Sequence, residues 1–223
     1  MSRITLLAVT RMQSGVCVAG MDEEGHWVRP VKERATLTLG DITYPGGQVA
    51  QAFDVTEFPV LRPRPQPPHL EDCVSDFIRA RPRLSRHLTP AERAAFLDAH
   101  AEPGADAVLS AHRRSLCLVR ARRLDAFFQL DTYSGKYEAR LAVDGGRPLP
   151  VTDLRWRALG RNLPGERDGE RRFPPEEVAR VLGTDEVYVA YGLSRSFQGQ
   201  IWALVVGVHP VPDFAVTVDY RRM

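Results

Sequence analysis

Alternating apolar and polar residues mark three short strands in the first third of the chain. Residues 3–10 are mostly apolar or β-branched, and residues 16–20 continue this pattern after a turn. A polar turn at residues 22–25 leads into a third run at 26–31. Because proline cannot donate to a strand ladder, this strand ends at Pro30 or lies on an edge of the sheet. Short runs of this kind between tight turns predict a β meander.

In the middle of the chain the strand pattern gives way to a proline-rich connector and a predicted helix. Residues 50–61 alternate once more, and the proline-rich run that follows at 61–68 predicts an extended connector. Thr89, Pro90 and Glu92 then have the form of a helix start, with an N-cap, a proline at the first helical position and an acidic first turn. We therefore predict a helical segment between two β units, and the three parts cover residues 1–68, 69–106 and 107–223.

The second half returns to strands and ends, by the same alternation, with a further strand at 214–220. A meander, two helices and two more strands precede it, at residues 115–122, 126–131, 136–143, 151–159, 174–182, 186–192 and 200–209. Three strands, a helical part and two strands is the element order of an OB (oligonucleotide/oligosaccharide-binding) barrel. The first half fits less completely, because residues 33–48 make a poor helix. The predicted fold class is mainly β, with two OB-like barrels joined by the helical segment.

Composition narrows the class of protein. Hydrophobic residues make up 43% of the chain and charged residues 26%, which is ordinary for a globular protein and argues against disorder. No apolar run approaches the roughly 18 residues that a membrane span requires. The short apolar stretch at the N-terminus is interrupted by Arg11, so we interpret it as a first strand and not as a signal peptide. Cys17, Cys73 and Cys117 form no CxxC pair, which favours a reducing, cytoplasmic location.

Several segments resemble a bacterial family of dual-OB-domain proteins thought to bind nucleic acid. The most specific are residues 11–20, which end in Cys-Val-Ala-Gly, and residues 25–31, Gly-His-Trp-Val-Arg-Pro-Val. Weaker matches follow at 53–55, 61–65, 115–120, 151–153, 192–199 and Trp202. The resemblance spans roughly residues 3–208 and implies two OB barrels and a nucleic-acid partner. Val16 and Ala203 stand where the family often has a basic residue, and both differences remove positive charge.

OB barrels bind single strands on the face of strands two and three and in the flanking loops, using aromatic rings for stacking and cations for phosphates. Because the net charge is only +2, any such surface must be a local patch. In the N-terminal unit the candidates are Arg11, Trp27, Arg29, Lys32 and Arg34. Trp27 and Arg29 lie two residues apart and share a strand face. The alternative is that Trp27 fills the core and Arg29 pairs with a carboxylate.

In the C-terminal unit the candidates are Tyr133, Lys136 and Arg140 on the predicted hairpin, with Arg195 and Phe197 in the loop between the last two OB strands. Lys136, Glu138 and Arg140 share one strand face, which is solvent-facing because Tyr137 and Leu141 occupy the other. Two alternatives remain open: Glu138 bridges both cations on a solvated surface, and Phe197 tucks under the barrel.

Arrangements typical of enzymes are absent from the sequence. His69 and Cys73 have an i, i+4 spacing, but no second pair completes a zinc site. The glycine pairs at 46–47 and 145–146 lack the context of a phosphate-binding loop. We therefore expect no metal, no cofactor and no enzymatic activity. The predicted function is binding of single-stranded DNA or RNA as an accessory factor in nucleic-acid metabolism, repair or defence. The alternatives are a protein–protein interaction module and, less favoured, a nucleic-acid-processing enzyme.

Overall fold

The computed structural model describes residues 1–12, 14–131, 133–163, 169–196 and 198–222. The chain is mainly β, as predicted, with few helices. The N-terminal half contains β1 (Ser2–Met12), β2 (Gly15–Met21), β3 (Trp27–Val31), β4 (Asp54–Phe58), β5 (Val60–Pro63), β6 (Asp72–Ser75) and β7 (Arg83–His87). Helices α1 (Pro90–His100) and α2 (Asp106–Leu109) follow. The C-terminal half contains β8 (Leu116–Ala121), β9 (Leu124–Leu130), β10 (Tyr137–Val143), β11 (Leu149–Pro150), α3 (Leu154–Asn162), β12 (Gly169–Phe173), α4 (Pro175–Leu182), β13 (Val187–Leu193) and β14 (Ala203–Pro210).

The seven strands of the N-terminal half form one sheet in the order β5-β6-β3-β2-β1-β4-β7. The first strand pairs in antiparallel fashion with both the second and the fourth. The third strand pairs in parallel with β6, which takes the place of the fifth strand of an OB barrel, and β7 extends the sheet by pairing with β4. As predicted, residues 33–48 hold no full helix and contain only a 3-10 turn at Leu39–Ile42.

The C-terminal half shares three of these pairings, including that of its second strand β9 with its third strand β10, although its strands form two sheets. Its sheets have the orders β11-β10-β9-β12 and β14-β13-β8. The first strand of the unit, β8, pairs in antiparallel fashion with the fourth, β13. Val151, which follows the third strand, pairs in parallel with Val205 of the fifth strand, β14, and so joins the two sheets. Both units pair the first strand with the fourth, the second with the third and the third with the fifth, which confirms the predicted pair of OB-like barrels.

Three apolar clusters divide the core. One fills the interior of the N-terminal sheet and includes Ile4, Leu6 and Phe58. A second fills the C-terminal barrel around Phe128 and Trp156. The third lies between the two halves and takes residues from each of them and from α1. We call this third region the seam, and it consists of Leu7, Ala8, Ala19, Met21, Phe53, Val55, Leu88, Leu97, Leu116, Leu118, Tyr188, Ala190 and Val206.

The prediction is wrong in three places. Residues 69–88 do not belong to a helical segment, because β6 and β7 lie there and pair with the N-terminal sheet. Helix begins only at Pro90, where Thr89 caps α1 as predicted and Glu92 completes the capping box. The sequence predicts no strand between the helices at 151–159 and 174–182, but Gly169–Phe173 form β12, which pairs with β9. The predicted strand at 214–220 is an extended tail without ladder pairing.

That tail nevertheless packs back on the molecule. Phe214 is buried in the C-terminal core, and Val218 and Tyr220 pack against the N-terminal core. Asp213 anchors its start, because its carboxylate lies 2.7 Å from Arg93 and 2.9 Å from Arg155. Among the helices in the described ranges, none has the length and apolarity needed to cross a membrane.

Candidate nucleic-acid interface

The two OB-like units differ in what covers the outer face of their second and third strands. In the N-terminal unit these strands are β2 and β3, and alternation divides their side chains between two environments. Val16 and Val18 point into the N-terminal core. Ala19, Met21 and Trp27 lie on the opposite, outer face and pack in the seam against the C-terminal half. An isolated OB barrel binds single-stranded nucleic acid on this face. In this protein the second barrel covers it.

Arg29 lies on the same covered face, inside a buried ion cluster. Its residue is only 7% exposed. Its Nε donates to Asp72 Oδ1 at 2.7 Å, and its Nη2 lies 2.8 Å from Glu71 Oε1. Asp72 also accepts from Arg195 of the C-terminal half, and Glu71 accepts from the hydroxyl of Ser115. The cluster therefore ties the two halves together, and we call it the seam clasp.

The predicted N-terminal binding site does not form as a surface. Because the guanidinium of Arg29 is buried and held by carboxylates, its predicted phosphate contact is not available; the alternative of a carboxylate pair is the one observed. Trp27 is half-buried against the seam, and its indole nitrogen is buried. Lys32 pairs with Asp41 at 2.6 Å. Within the described ranges, exposed Arg34 and half-buried Arg11 have no carboxylate partner.

The corresponding strands of the C-terminal half, β9 and β10, keep their outer face open. Ala126 and Phe128 point into the core, so Phe127 between them points outward and is half-buried. Register places Phe127 directly opposite Arg140 on β10 and opposite Arg172 on β12. The neighbouring row holds Glu138, Gln129 and Glu170. We call this surface the outer sheet face, defined by Phe127, Gln129, Glu138, Arg140, Glu170 and Arg172.

Phe127 thus lies between two arginines whose side chains are 49% and 64% exposed, Arg140 and Arg172 respectively. The guanidinium of Arg172 lies over the phenyl ring, with Cζ 5.6 Å from its centroid. Such an arrangement offers a ring for base stacking and cations for phosphates within one cross-strand row. Arginine also suits this use because its planar group stacks on rings and forks onto phosphate oxygens.

Carboxylates balance these cations in the free protein. Lys136 Nζ lies 2.7 Å from Glu138, and Arg140 Nη2 lies 3.4 Å from the other oxygen of the same carboxylate. The hydrogen bond from Lys136, with added attraction from both cations, holds the pKa of Glu138 below its usual value, so this group is ionised at neutral pH. Arg172 pairs with Asp125 at 2.8 Å. Glu138 thus bridges Lys136 and Arg140, as in the alternative stated for it above. A phosphate must compete with the carboxylates of Glu138 and Asp125 for these cations.

The β9–β10 hairpin tip carries the remaining C-terminal candidates. Tyr133 is 100% exposed, and its backbone is held in the turn because its N–H donates to Asp131 at 3.0 Å. Lys136 follows at the base of the turn and is also exposed. Tyr133, Lys136 and Arg140 therefore all lie on or beside the outer sheet face, as the sequence predicts.

The loop between β13 and β14 holds Arg195, whose exposed guanidinium reaches back to Asp72 in the seam clasp. Ser194 closes the base of this loop, since its N–H donates to the carbonyl of Trp202 at 2.8 Å and its hydroxyl accepts from the N–H of Trp202 at 2.9 Å. Trp202 itself is 56% exposed. Phe197, the last predicted site residue, lies outside the described residues.

Sequence reasoning missed Phe127 and Arg172. Two adjacent phenylalanines on a strand must point to opposite faces, so Phe127-Phe128 guarantees one outward ring; this signal was available but unused. Arg172 could not be found from the sequence, because residues 169–173 have the charged composition of a loop and become a strand only by pairing with β9.

Two clusters of polar side chains lie outside the outer sheet face. Ser115, Glu71 and His69 lie together, but all three are under 9% exposed, so no substrate can reach them. Burial, and then the charge of Arg29, lowers the pKa of His69 to about 4. In the described part of the chain, Asp22, Glu24 and His26 bring their ligand atoms within 4.8 Å, on a surface turn. Exposed acidic groups of this kind are common, and we assign no metal site.

Comparison with known proteins gives one match. A family model described as a dual OB-containing domain matches residues 2–208, which is nearly the whole chain. No curated protein and no solved structure matches the chain.

Proposed function

The chain belongs to the dual OB-containing domain family, and from this membership we propose that it binds single-stranded nucleic acid through the outer sheet face of its C-terminal half. Binding without a chemical step, as an accessory factor in nucleic-acid metabolism, repair or defence, is the role we assign to it. One observation supports the location above all others. Of the two faces formed by strands two and three, the N-terminal one is covered by the seam, while the C-terminal one is open and holds Phe127 between Arg140 and Arg172.

The proposed site favours an unpaired strand over a duplex for a physical reason. A ring that lies level with a sheet surface can stack on a base only when that base is free of its partner, and stacking of this kind is worth about 1–3 kcal/mol per base. The bases of a duplex are already stacked on each other. A duplex would therefore gain only the charge contacts of Arg140, Arg172 and Lys136.

The test is a fluorescence-anisotropy titration of labelled dodecathymidylate, its RNA counterpart and a duplex, at several salt concentrations. We expect single strands to bind more tightly than the duplex and the affinity to fall with added salt, by about 0.7 in log-log slope for each phosphate contacted. Arg140→Ala should lower that slope by about one such contact. Arg83→Ala removes an exposed arginine from β7 in the other half and should leave it unchanged.

Two outcomes would contradict the proposal. One is an equal affinity for duplex and single strand. The other is an Arg140→Ala protein with the parent's salt slope. Absence of binding to all three nucleic acids would favour the alternative of a protein–protein interaction module.

A further inference from the structure

Three arginines, drawn from both halves of the molecule, converge beside helix α3. Arg157 and Arg161 lie four residues apart and share one face of the helix, where like charges repel. Both guanidinium groups lie over the ring of Tyr137, with Cζ 5.0 Å and 4.0 Å from its centroid, respectively. The Tyr137 hydroxyl donates to the carbonyl of Arg157 at 3.1 Å and so fixes the ring. One buried ring therefore brings two positive charges together.

Arg11 adds a third charge from the N-terminal half. It lies near the end of β1, and its backbone N–H donates to the carbonyl of Thr152 at 2.9 Å. The guanidinium of Arg157 donates to the carbonyl of the preceding residue, Val151, at 3.3 Å and to that of Tyr137 at 3.0 Å. Arg11 and Arg157 are thus held at one short segment of backbone. We call Arg11, Arg157 and Arg161 the arginine cluster.

Arg11 and Arg157 have no carboxylate partner among the residues that the structure describes, although their charges act on each other. Burial, and then the charge of Arg11, lowers the pKa of Arg157 to about 10, which leaves it protonated at neutral pH. Glu138 opposes this effect, but its carboxylate already bridges Lys136 and Arg140. All three arginines of the cluster are half-buried, so water screens their repulsion less than on an open surface. An anion bound among them would relieve that repulsion.

We propose that the arginine cluster is a binding site for a phosphate group. Guanidinium groups match the oxygens of a phosphate and bind them through charge-assisted hydrogen bonds. A phosphate monoester carries about 1.5–2 negative charges at neutral pH, which suits several converging cations better than a single carboxylate does. The site is separate from the outer sheet face, because Tyr137 points into the core, on the opposite side of β10 from Glu138 and Arg140. It does not depend on the proposed function.

Isothermal titration calorimetry with inorganic pyrophosphate tests the site directly. We expect saturable binding by the parent protein, and Arg11→Gln should weaken it roughly ten- to hundredfold, the loss expected for one charge-assisted hydrogen bond. Arg161→Gln should weaken it as well. Arg83→Gln is the control and should bind like the parent. Arg83 lies opposite Glu57, which lies opposite Arg3, and so stands at the far end of β1 from the arginine cluster.

Charge reversal gives a second readout that needs no ligand. Arg11→Glu puts a carboxylate beside Arg157 and Arg161, so in chloride buffer this variant should melt at a higher temperature than Arg11→Gln. It should also fail to bind pyrophosphate. If Arg11→Glu melts at a lower temperature than Arg11→Gln, the positive charges are not crowded and the inference is overturned.

The phosphate can belong to a nucleic-acid strand or to a free nucleotide, and salt titration of dodecathymidylate binding distinguishes these sources. A lower salt slope for Arg11→Gln than for the parent assigns the site to the nucleic-acid backbone. An unchanged slope together with weakened pyrophosphate binding assigns it to a free phosphate compound. Parent-like pyrophosphate affinity in Arg11→Gln, or no saturable binding by the parent, refutes the site. Arg140→Ala tests the outer sheet face separately, so the proposed function stands or fails on its own result.

Discussion

Arg29→Ala separates a structural role for the seam clasp from the binding role that the sequence first suggests for this residue. The substitution removes a guanidinium that holds Asp72 at 2.7 Å and Glu71 at 2.8 Å, and both carboxylate side chains are almost fully buried. Breaking a buried ion pair by removing one partner typically destabilises a protein by about 3–5 kcal/mol. Asp72 keeps Arg195 and Glu71 keeps Ser115. We therefore expect a loss near the lower limit, about 3 kcal/mol.

For a chain of this length, about 3 kcal/mol corresponds to a fall in Tm of roughly 6–12 °C. Thermal melting followed by circular dichroism measures it. Arg62→Ala is the matched control, because Arg62 also pairs with a carboxylate at 2.7 Å but both side chains are 54% exposed. Such exposed pairs contribute about 0–1 kcal/mol. Nucleic-acid affinity at a temperature where both variants are folded should match that of the parent.

The opposite pattern would refute this reasoning. An Arg29→Ala protein that melts with the parent but has a lower salt slope of binding would place Arg29 on a phosphate track. The outer face of β2 and β3 would then bind nucleic acid, and the C-terminal half could not cover that face in the bound protein.

Two further predictions concern stability. Burial lowers the pKa of His69 to about 4 and of His209 to about 3. Below pH 6.5 these histidines therefore take up protons in the unfolded chain but not in the folded protein, so the free energy of unfolding should fall with decreasing pH by up to about 1.4 kcal/mol per pH unit for each group. Thermal melts from pH 7.5 to 5 measure this fall, and a Tm that does not change with pH would contradict it. Gly160→Ala would place a Cβ under 3.0 Å from the Phe128 ring. Although alanine has the better helix propensity, this substitution should lower the free energy of unfolding in urea by about 1–3 kcal/mol. Gly46→Ala is the control, since a Cβ there meets open space and should leave the free energy of unfolding nearly unchanged.

Much of the fold could be predicted from the sequence because its central strands are runs of apolar residues that are buried on both faces. Residues 116–121 and 187–193 alternate between the C-terminal core and the seam, or are apolar throughout, and such runs identify strands directly. The edge strands could not be found in this way. β5 contains Pro63, and β7 is mostly charged and exposed, so both have the composition of loops. Edge strands are commonly protected by proline and charge, and only pairing shows that they are strands.

The candidate site was predictable only in part, for a different reason. Alternation correctly places Trp27 and Arg29 on one face of β3, and Glu138 and Arg140 on one face of β10. It cannot show what covers each face. The second barrel covers the first pair and leaves the second open. This difference depends on packing between parts of the chain that are far apart, such as those that bring Met21 and Leu118 into the seam.

The outer sheet face can be tested most directly with two substitutions that should act in opposite directions. Phe127→Leu keeps an apolar side chain of similar size but removes the ring, so single-strand affinity should fall roughly five- to hundredfold with little change in Tm. Glu138→Gln removes the carboxylate that occupies Lys136 and Arg140, so affinity should rise. Anisotropy titration of labelled dodecathymidylate at one fixed salt concentration measures both. Weaker binding by Phe127→Leu together with tighter binding by Glu138→Gln is the predicted result, and parent-like affinity in both variants would contradict the assignment of this face.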